Sequence, residues 1–441
     1  MLNIRCTLEI LRKISDGGEA MKFLLAPWGN PERWGEVTYE FDGRNVKSHT
    51  SLKILQESIS PDRTIIIGLD TLAEKGRNYG EVRENAEEKI KKYTEKFGLE
   101  DYEVLIAPGT GTFPNGKFDG DVLDYYYYII AKISLILLED AGDIIDLHLD
   151  LTHGINYSPI LTYKAIREIA EIFSMLREVK FKAYNADPFV PSVSDRLSVN
   201  IVEDIHPVPR PFAEKFSDGR PLEPRNFSRE EKMRFYKEEL NCIREINTHE
   251  VSAFIGALYN GLPLALFRFY PDMDKLGRII SVVLDTYEKY AEVRTQKGLE
   301  VVKRVRMKKD FKAYVFAYVT TALLKNLPLE PEFSERKEVA LDEIEAVKEG
   351  LFKFDERFHN RIANDIYQLK KDLGEKEIKN WKIYNEILER SIGEVDKRNF
   401  LAHSGFERNV VEVKKQDNRL MLRYREDNIE TIAELCQTGL K

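Results

Sequence analysis

An arginine and a histidine stand five positions apart in Arg398-Asn399-Phe400-Leu401-Ala402-His403, and Ser404-Gly405 follows. Guanidinium stays cationic at any ordinary pH, and imidazole gains or loses a proton near neutrality. Cleaving a phosphodiester calls on both properties: fixed positive charge where negative charge develops, and a group that moves a proton. The competing assignment is structural, since an arginine or histidine beside an apolar stripe often snorkels or caps.

These residues need elements to hold them. Periodicity predicts a helix over 378–402 with an apolar stripe at Leu388, Ile392, Val395 and Ala402. At one helical step per residue, Arg398 and His403 fall about 140° apart, on opposite shoulders of that stripe. One such helix cannot close both groups on one phosphate. Two copies packed stripe to stripe would bring them to a shared seam, so the spacing favours a site at a dimer interface. Gly405 is a helix-stop signal that puts His403 in the last turn. A hairpin follows: Val411 and Val413 alternate with charges, Gln416-Asp417-Asn418 turns, and Leu420, Leu422 and Tyr424 alternate again. Its cations Lys414, Lys415, Arg419 and Arg423 are candidates for an RNA backbone, and Lys303, Arg304, Arg306, Lys308, Lys309 and Lys312 form a second basic run. The alternative for both runs is a solvated face.

The amino-terminal half has a different texture. Apolar runs at Met21–Ala26, Thr64–Leu69, Tyr102–Ala107, Ile144–Leu151, Phe181–Tyr184 and Arg196–Val202 alternate with helical patterns. That alternation predicts a Rossmann-like α/β domain with a mostly parallel sheet. Ligands of such sheets sit beyond the carboxyl ends of the strands. Those ends carry Trp28-Gly29-Asn30, Asp70-Thr71, Gly109 to Thr112, and Thr152 to Asn156. Together they suggest a nucleotide-sized site, although Gly and Asn at strand ends are also ordinary turn residues. A nicotinamide site is disfavoured because the third glycine of a G-x-G-x-x-G loop is replaced by Pro114. Among the other histidines, His359 pairs with Asp355 four positions back as a surface contact.

The expected organisation is an extension over 1–20, the sheet domain over 21–205, a proline-rich linker over 206–230, and a mostly α-helical domain over 231–441 with a small β-hairpin. With 43% hydrophobic and 32% charged residues the chain is a folded, soluble type. A net charge of −8 argues against a protein that coats nucleic acid nonspecifically, so nucleic acid would have to meet a local patch. Three scattered cysteines make neither a zinc site nor a disulfide framework and fit a reducing cytoplasm. The most apolar run, Tyr125 to Leu138, is short and contains Lys132, which fits a core helix and no membrane span. The first twenty residues lack a signal-peptide pattern.

Arg398 to His403 resembles the Arg-x4-6-His signature of HEPN ribonucleases, including the asparagine after the arginine. Leu24-Leu25-Ala26-Pro27-Trp28-Gly29-Asn30 and Asp150-Leu151-Thr152-His153-Gly154-Ile155-Asn156 resemble the two nucleotide-sensing loops of CARF domains. In this order the pair resembles the CARF–HEPN ribonucleases that accompany type III CRISPR systems. The resemblance implies a homodimer, or a higher even oligomer, in which a cyclic oligoadenylate, commonly cyclic tetra-adenylate, binds the CARF domains. Binding switches on a metal-independent endoribonuclease, with no cofactor beyond that activator and single-stranded RNA as substrate. RNA supplies its own nucleophile, the 2′-OH. His403 would then act as general acid/base, Arg398 would stabilise the phosphorane-like transition state, and Asn399 would orient either partner. In the sensor, Trp28 would stack on adenine, Gly29 and Gly154 would let backbone amides approach phosphate, and Thr152, His153 and Asn156 would bond ribose or base. Asn30 and Thr110 complete the candidate set. Asn156 stands near the place where CARF loops commonly carry Lys or Arg. A rival assignment is a CARF-type nucleotide-sensing regulator that binds DNA or RNA without nuclease activity, with 299–312 as the wing of a winged helix.

Overall fold

The computed structural model describes residues 20–140, 142–296, 298–329 and 332–441. All but the last residue of the expected extension 1–20 lies outside them. The chain forms two compact units. The first takes in the described residues up to 170 together with 177–208 and 288–306, and the second 171–176, 209–287 and 307–441.

An eight-stranded sheet forms the frame of the first unit. Its strands are β1 (Met21–Pro27), β2 (Val37–Phe41), β3 (Arg44–Ser48), β4 (Arg63–Leu69), β5 (Glu103–Ala107), β8 (Ile144–Asp150), β9 (Glu178–Ala186) and β10 (Arg196–Ile205), in the order β3-β2-β10-β9-β8-β1-β4-β5. Between β5 and β8 lies the short hairpin β6 (Gly111–Phe113) and β7 (Gly116–Asp119). The run β9-β8-β1-β4-β5 is parallel, and β10 turns back antiparallel to β9. The Ile65-Ile66-Ile67 run of β4 is at most 1% exposed, as a strand covered on both faces must be. Helices α1 (Ser51–Ile59), α2 (Tyr79–Phe97), α3 (Val122–Asp140) and α4 (Tyr157–Phe173) fill the crossovers. Thr50 caps α1 by accepting from the Leu52 amide, and Asn78 caps α2 by accepting from the Glu81 amide. The Tyr125–Leu138 run lies in α3, and among the described residues no helix is long and apolar enough to cross a membrane.

Residues 288–306, which the sequence places in the helical domain, fold into the first unit. They form β11 (Ala291–Arg294) and β12 (Leu299–Lys303), and β12 runs parallel to β7 in a second sheet of order β11-β12-β7-β6. Val301 is fully buried there. Helical periodicity predicts a helix over 275–295, and the helix there ends at Lys289.

The second unit is mostly helical. It contains α5 (Arg229–Glu238), α6 (Thr248–Asn260), α7 (Pro263–Arg268), α8 (Met273–Lys289, whose last residues pass into the first unit), α9 (Lys309–Lys325), α10 (Leu341–Gly350), α11 (Glu356–Leu373), α12 (Tyr384–Ile387), α13 (Lys397–Ala402) and α14 (Ile429–Cys436). A four-stranded sheet joins β13 (Val339–Ala340), β14 (Lys382–Ile383) and the predicted hairpin β15 (Val411–Gln416) and β16 (Arg419–Tyr424), in the order β13-β16-β15-β14. The segment expected as a linker is built into this unit beyond Val208. Fully buried Asp310 accepts from the amides of Ser217, Asp218 and Gly219 at 3.0, 3.1 and 2.8 Å, an anchor the proline count does not reveal.

Candidate functional site

The long helix predicted over 378–402 does not form. α12 ends at Ile387, Glu389 takes a left-handed backbone (φ 57°), and the chain runs without helix to Asp396. Gly393 and the β-branched Ile392 and Val395 weaken helix there. Asn409 competes for the backbone, its Oδ1 accepting from the Gly393 amide at 2.9 Å. Leu388, Ile392 and Val395 therefore do not share a helical stripe with Ala402, and Ile392 is largely exposed. The stripe-to-stripe seam drawn from the sequence loses its basis.

What replaces it is a short, well-capped helix. The Asp396 side chain accepts from the Asn399 amide at 2.8 Å and opens α13. Phe400, fully buried beside Tyr424, pins the helix down. His403 is the C-cap, Ser404 follows at φ 49°, and the Gly405 amide (φ 82°) bonds back to the Phe400 carbonyl at 2.8 Å, a Schellman closure. A Cβ on Gly405 would stand 2.6 Å from the Tyr424 hydroxyl, so glycine is required here twice over.

α11 supplies the opposite wall. Its buried face is Ile362, Ile366, Leu369 and Leu373, and beside it Arg361, Asp365, Gln368 and Asp372 recur at the same helical spacing. Arg361 Nε donates to Ser404 Oγ at 3.1 Å. Asp365 Oδ1 lies 3.1 Å from His403 Nδ1. Gln368 donates to Asp372, which also accepts from the Tyr384 hydroxyl at 2.7 Å. Burial pushes the Asp365 carboxyl above its ordinary value, against the hydrogen bonds from His403 and Ser404 that pull it down. The result is a polar cavity of about 770 Å³ whose lining includes Asp365, Arg390, Asn399, His403, Glu407 and Arg408. Arg398 is exposed and is not part of that lining. His403 and Asn399 thus share one cavity, and the Arg398 of the same chain does not.

At the carboxyl edge of the first unit's sheet the strand-end loops are knitted together. The Gly29 amide donates to the His153 carbonyl at 2.8 Å, and a Cβ on Gly29 would stand 2.4 Å from Ile155. Gly154 packs so closely on Pro159 that a Cβ would meet it at 2.4 Å. The Gly109 amide donates to Asp70 at 2.7 Å, and the Thr110 amide donates to the Tyr157 hydroxyl at 3.0 Å. Thr110 Oγ1 donates to the Phe118 carbonyl, and Thr152 Oγ1 accepts from the Ala186 amide. Asn30 and Asn156 are exposed; Asn30 caps a short turn through the Glu32 amide, and Asn156 holds a left-handed backbone at φ 49°.

The expectation that Trp28 stacks on adenine is overturned. Its side chain is 1% exposed and packs edge-on against Trp34 at 4.9 Å. An indole at the end of a buried strand gains more from the core than from solvent. His153 is likewise committed inward. Its ring stacks on Trp34 at 4.0 Å, and Nε2 lies 3.2 Å from the Tyr39 hydroxyl and accepts from the Ser51 amide at 3.4 Å. Burial pushes this imidazole down to about 3, so it is neutral at physiological pH. The unfolded chain takes up this proton near pH 6.5 and the folded chain does not. The stability His153 contributes is therefore complete above that pH and is lost as pH falls towards 3. His153→Gln should flatten that limb of the pH–melting curve relative to the unsubstituted chain.

The basic runs are largely spent on internal pairs. Lys303 is 1% exposed, with Nζ 2.7 Å from Asp70 Oδ2 and bonded also to the Gly109 carbonyl. Lys308 pairs with Asp218, and Lys312 with Glu214. On the hairpin Arg419 is held by Asp342 and Arg423 by Glu412, while Lys415 donates to the Gly374 carbonyl and Lys414 to Gln416. A wing for DNA over 299–312 finds no free cationic face in Lys303. His359 pairs with Glu349 and not with Asp355, which instead caps α11.

Two contacts escaped the sequence, Asp365 with His403 and Lys303 with Asp70. Asp365 was visible in principle as part of the Arg361-Asp365-Gln368-Asp372 spacing. Lys303 was not, since nothing local distinguishes it from its charged neighbours.

A family model described as CRISPR system endoribonuclease Csx1, CARF domain, matches residues 23–188, and one described as CRISPR system endoribonuclease Csx1, HEPN domain, matches residues 355–426. The CRISPR system endoribonuclease Csx1 of Methanocaldococcus jannaschii is 30% identical over 413 residues, covering 89% of this chain and 86% of that protein. Among solved structures, Enterococcus italicus Csm6 bound to cyclic hexa-2′-fluoro-hexa-dAMP aligns over 96% of this chain and 94% of that one, at 10% identity and a TM-score of 0.25. Protein VC1899 from Vibrio cholerae aligns over 92% and 76%, at 10% identity and a TM-score of 0.24.

Proposed function

The chain belongs to the Csx1 family of CRISPR system endoribonucleases, and on that footing we propose an endoribonuclease of type III CRISPR defence that cuts single-stranded RNA without a metal ion when a cyclic oligoadenylate, first of all cyclic tetra-adenylate, occupies the sensor. One observation carries the reading. Within the HEPN match, His403 is exposed on the wall of a nucleotide-sized polar cavity, with its Nδ1 held by a carboxylate.

With Nδ1 engaged, Nε2 is the atom free to take the 2′-OH proton as that oxygen attacks the adjacent phosphorus. The same nitrogen, once protonated, returns a proton to the departing 5′-oxygen. The products are a 2′,3′-cyclic phosphate and a 5′-hydroxyl. Asn399, in the same cavity, hydrogen-bonds a phosphate oxygen or the attacking hydroxyl. Arg398 meets the transition-state charge from a second copy, which agrees with its absence from the lining of its own chain's cavity. The reading thus calls for a homodimer or higher even oligomer. The activator is received by the carboxyl edge of the sheet, where the exposed Asn30 and Asn156 offer polar contacts; Gly29, Gly154, Thr110 and Thr152 serve instead to hold the loops against their own neighbours.

The test is cleavage of labelled single-stranded RNA in EDTA, with and without cyclic tetra-adenylate. Activator-dependent cleavage with cyclic phosphate ends is expected. Loss of cleavage in EDTA would reject the metal-free route, and silence with every cyclic oligoadenylate would reject the ribonuclease.

A further inference from the structure

We propose that Asp365 is a positioning residue of the ribonuclease site, fixing the tautomer and orientation of His403; this rests on His403 being the residue that moves the proton. An ionised carboxylate can only accept, so the 3.1 Å contact requires the proton of the neutral ring to sit on Nδ1. That leaves the lone pair on Nε2, in the ring of a residue that lines the cavity, which is the form a general base needs. Without the carboxylate the ring is free to take either tautomer and to turn about its Cβ bond.

The placement of Asp365 fits this role better than a role in stability. It sits mid-helix in α11, rigidly held by Ile362, Ile366 and Leu369 on the buried face. The carboxylate side chain is 13% exposed, whereas the imidazole it holds is 57% exposed. Its second oxygen, Oδ2, is buried without a hydrogen-bond partner among the described residues. A buried acceptor left unpaired costs free energy, and an apolar residue there would serve the core better. The cations and anions around it do not substitute for the contact. Arg361, one turn back, is turned to Ser404 and to the carbonyls of Asn260 and Gly261. Arg408 reaches Asp372. Glu407 bonds Asn409, and Arg390 lines the cavity without an ion pair among the described residues. Asp365 is the one of these groups bonded to the His403 ring.

The decisive variant is Asp365→Asn, which keeps shape and volume. Its amide can donate to Nδ1, and the ring proton then moves to Nε2, where it blocks base function. Asp365→Ala serves as a second variant, and His403→Ala as the reference. Activated RNA cleavage is measured with melting temperature, and the His403 ring is read by nitrogen-15 NMR at a pH where imidazole is neutral, its signal identified by its loss in His403→Ala. We expect Asp365→Asn to lower kcat by about 10²-fold or more while KM stays within about threefold, the pattern of a lost transition-state contact. The ring proton should move from Nδ1 to Nε2. A folded Asp365→Asn with kcat within about threefold of the unsubstituted chain overturns the proposal, as does an unchanged tautomer. If His403→Ala itself retains activity, the parent reading fails instead, and the NMR signature still reports whether Asp365 sets the tautomer.

Discussion

His403→Ala is expected to lower activated RNA cleavage by about 10²- to 10⁴-fold, the range of a positioned general acid or base. Arg398→Ala should lose about 10²- to 10³-fold, as expected for a donor aimed at developing charge. Arg398 is exposed and does not support the core, so Arg398→Ala should move melting by no more than about 0.5 kcal/mol equivalent; His403→Ala also takes the partner from Asp365 Oδ1 and should cost about 1–3 kcal/mol. The pair also tests where the site is built. If Arg398 of one copy serves His403 of another, the two inactive variants mixed together regain activity, because a mixed dimer holds one intact combination. If one chain supplied both groups, mixing would restore nothing. Cleavage by either single variant within about twofold of the unsubstituted rate would remove that residue from the mechanism.

The second large effect is in the sensor. Lys303→Met leaves Asp70 fully buried without its cation, and breaking a buried pair on one side costs about 3–5 kcal/mol. The damage should reach further than stability. Asp70 also accepts from the Gly109 amide and the Tyr79 hydroxyl, and Lys303 also holds the Gly109 carbonyl. The N–H and the carbonyl of Gly109 are thus both fixed by one ion pair at the edge where the activator is expected. Lys303→Met should lower the melting temperature and weaken cyclic tetra-adenylate binding together. Adding Asp70→Asn should recover part of the stability, since it removes the stranded charge and keeps an acceptor for the Gly109 amide. Unchanged melting of Lys303→Met would show that the pair contributes nothing.

Sequence alone determined what depends on local periodicity and local chemistry. The alternation of buried strands with amphipathic helices dictated a parallel sheet, because β-branched runs such as Ile65-Ile66-Ile67 have no other stable place. The Val411–Tyr424 alternation dictated a hairpin, and the short motifs around His403 and His153 pointed to the family. Tertiary structure decided everything that depends on which distant residue fills a space. The indole of Trp28 was needed by the core beside Trp34 more than by a ligand. The helix before Arg398 gave way because Asn409, distant along the chain, offered its backbone better hydrogen bonds. Lys303 was one cation in a charged run until burial against Asp70 made it a fixture of the glycine loop. Asp365 was one carboxylate on an amphipathic helix until folding set it beside His403. Periodicity reports which face of an element is buried; only the folded chain reports what that face meets.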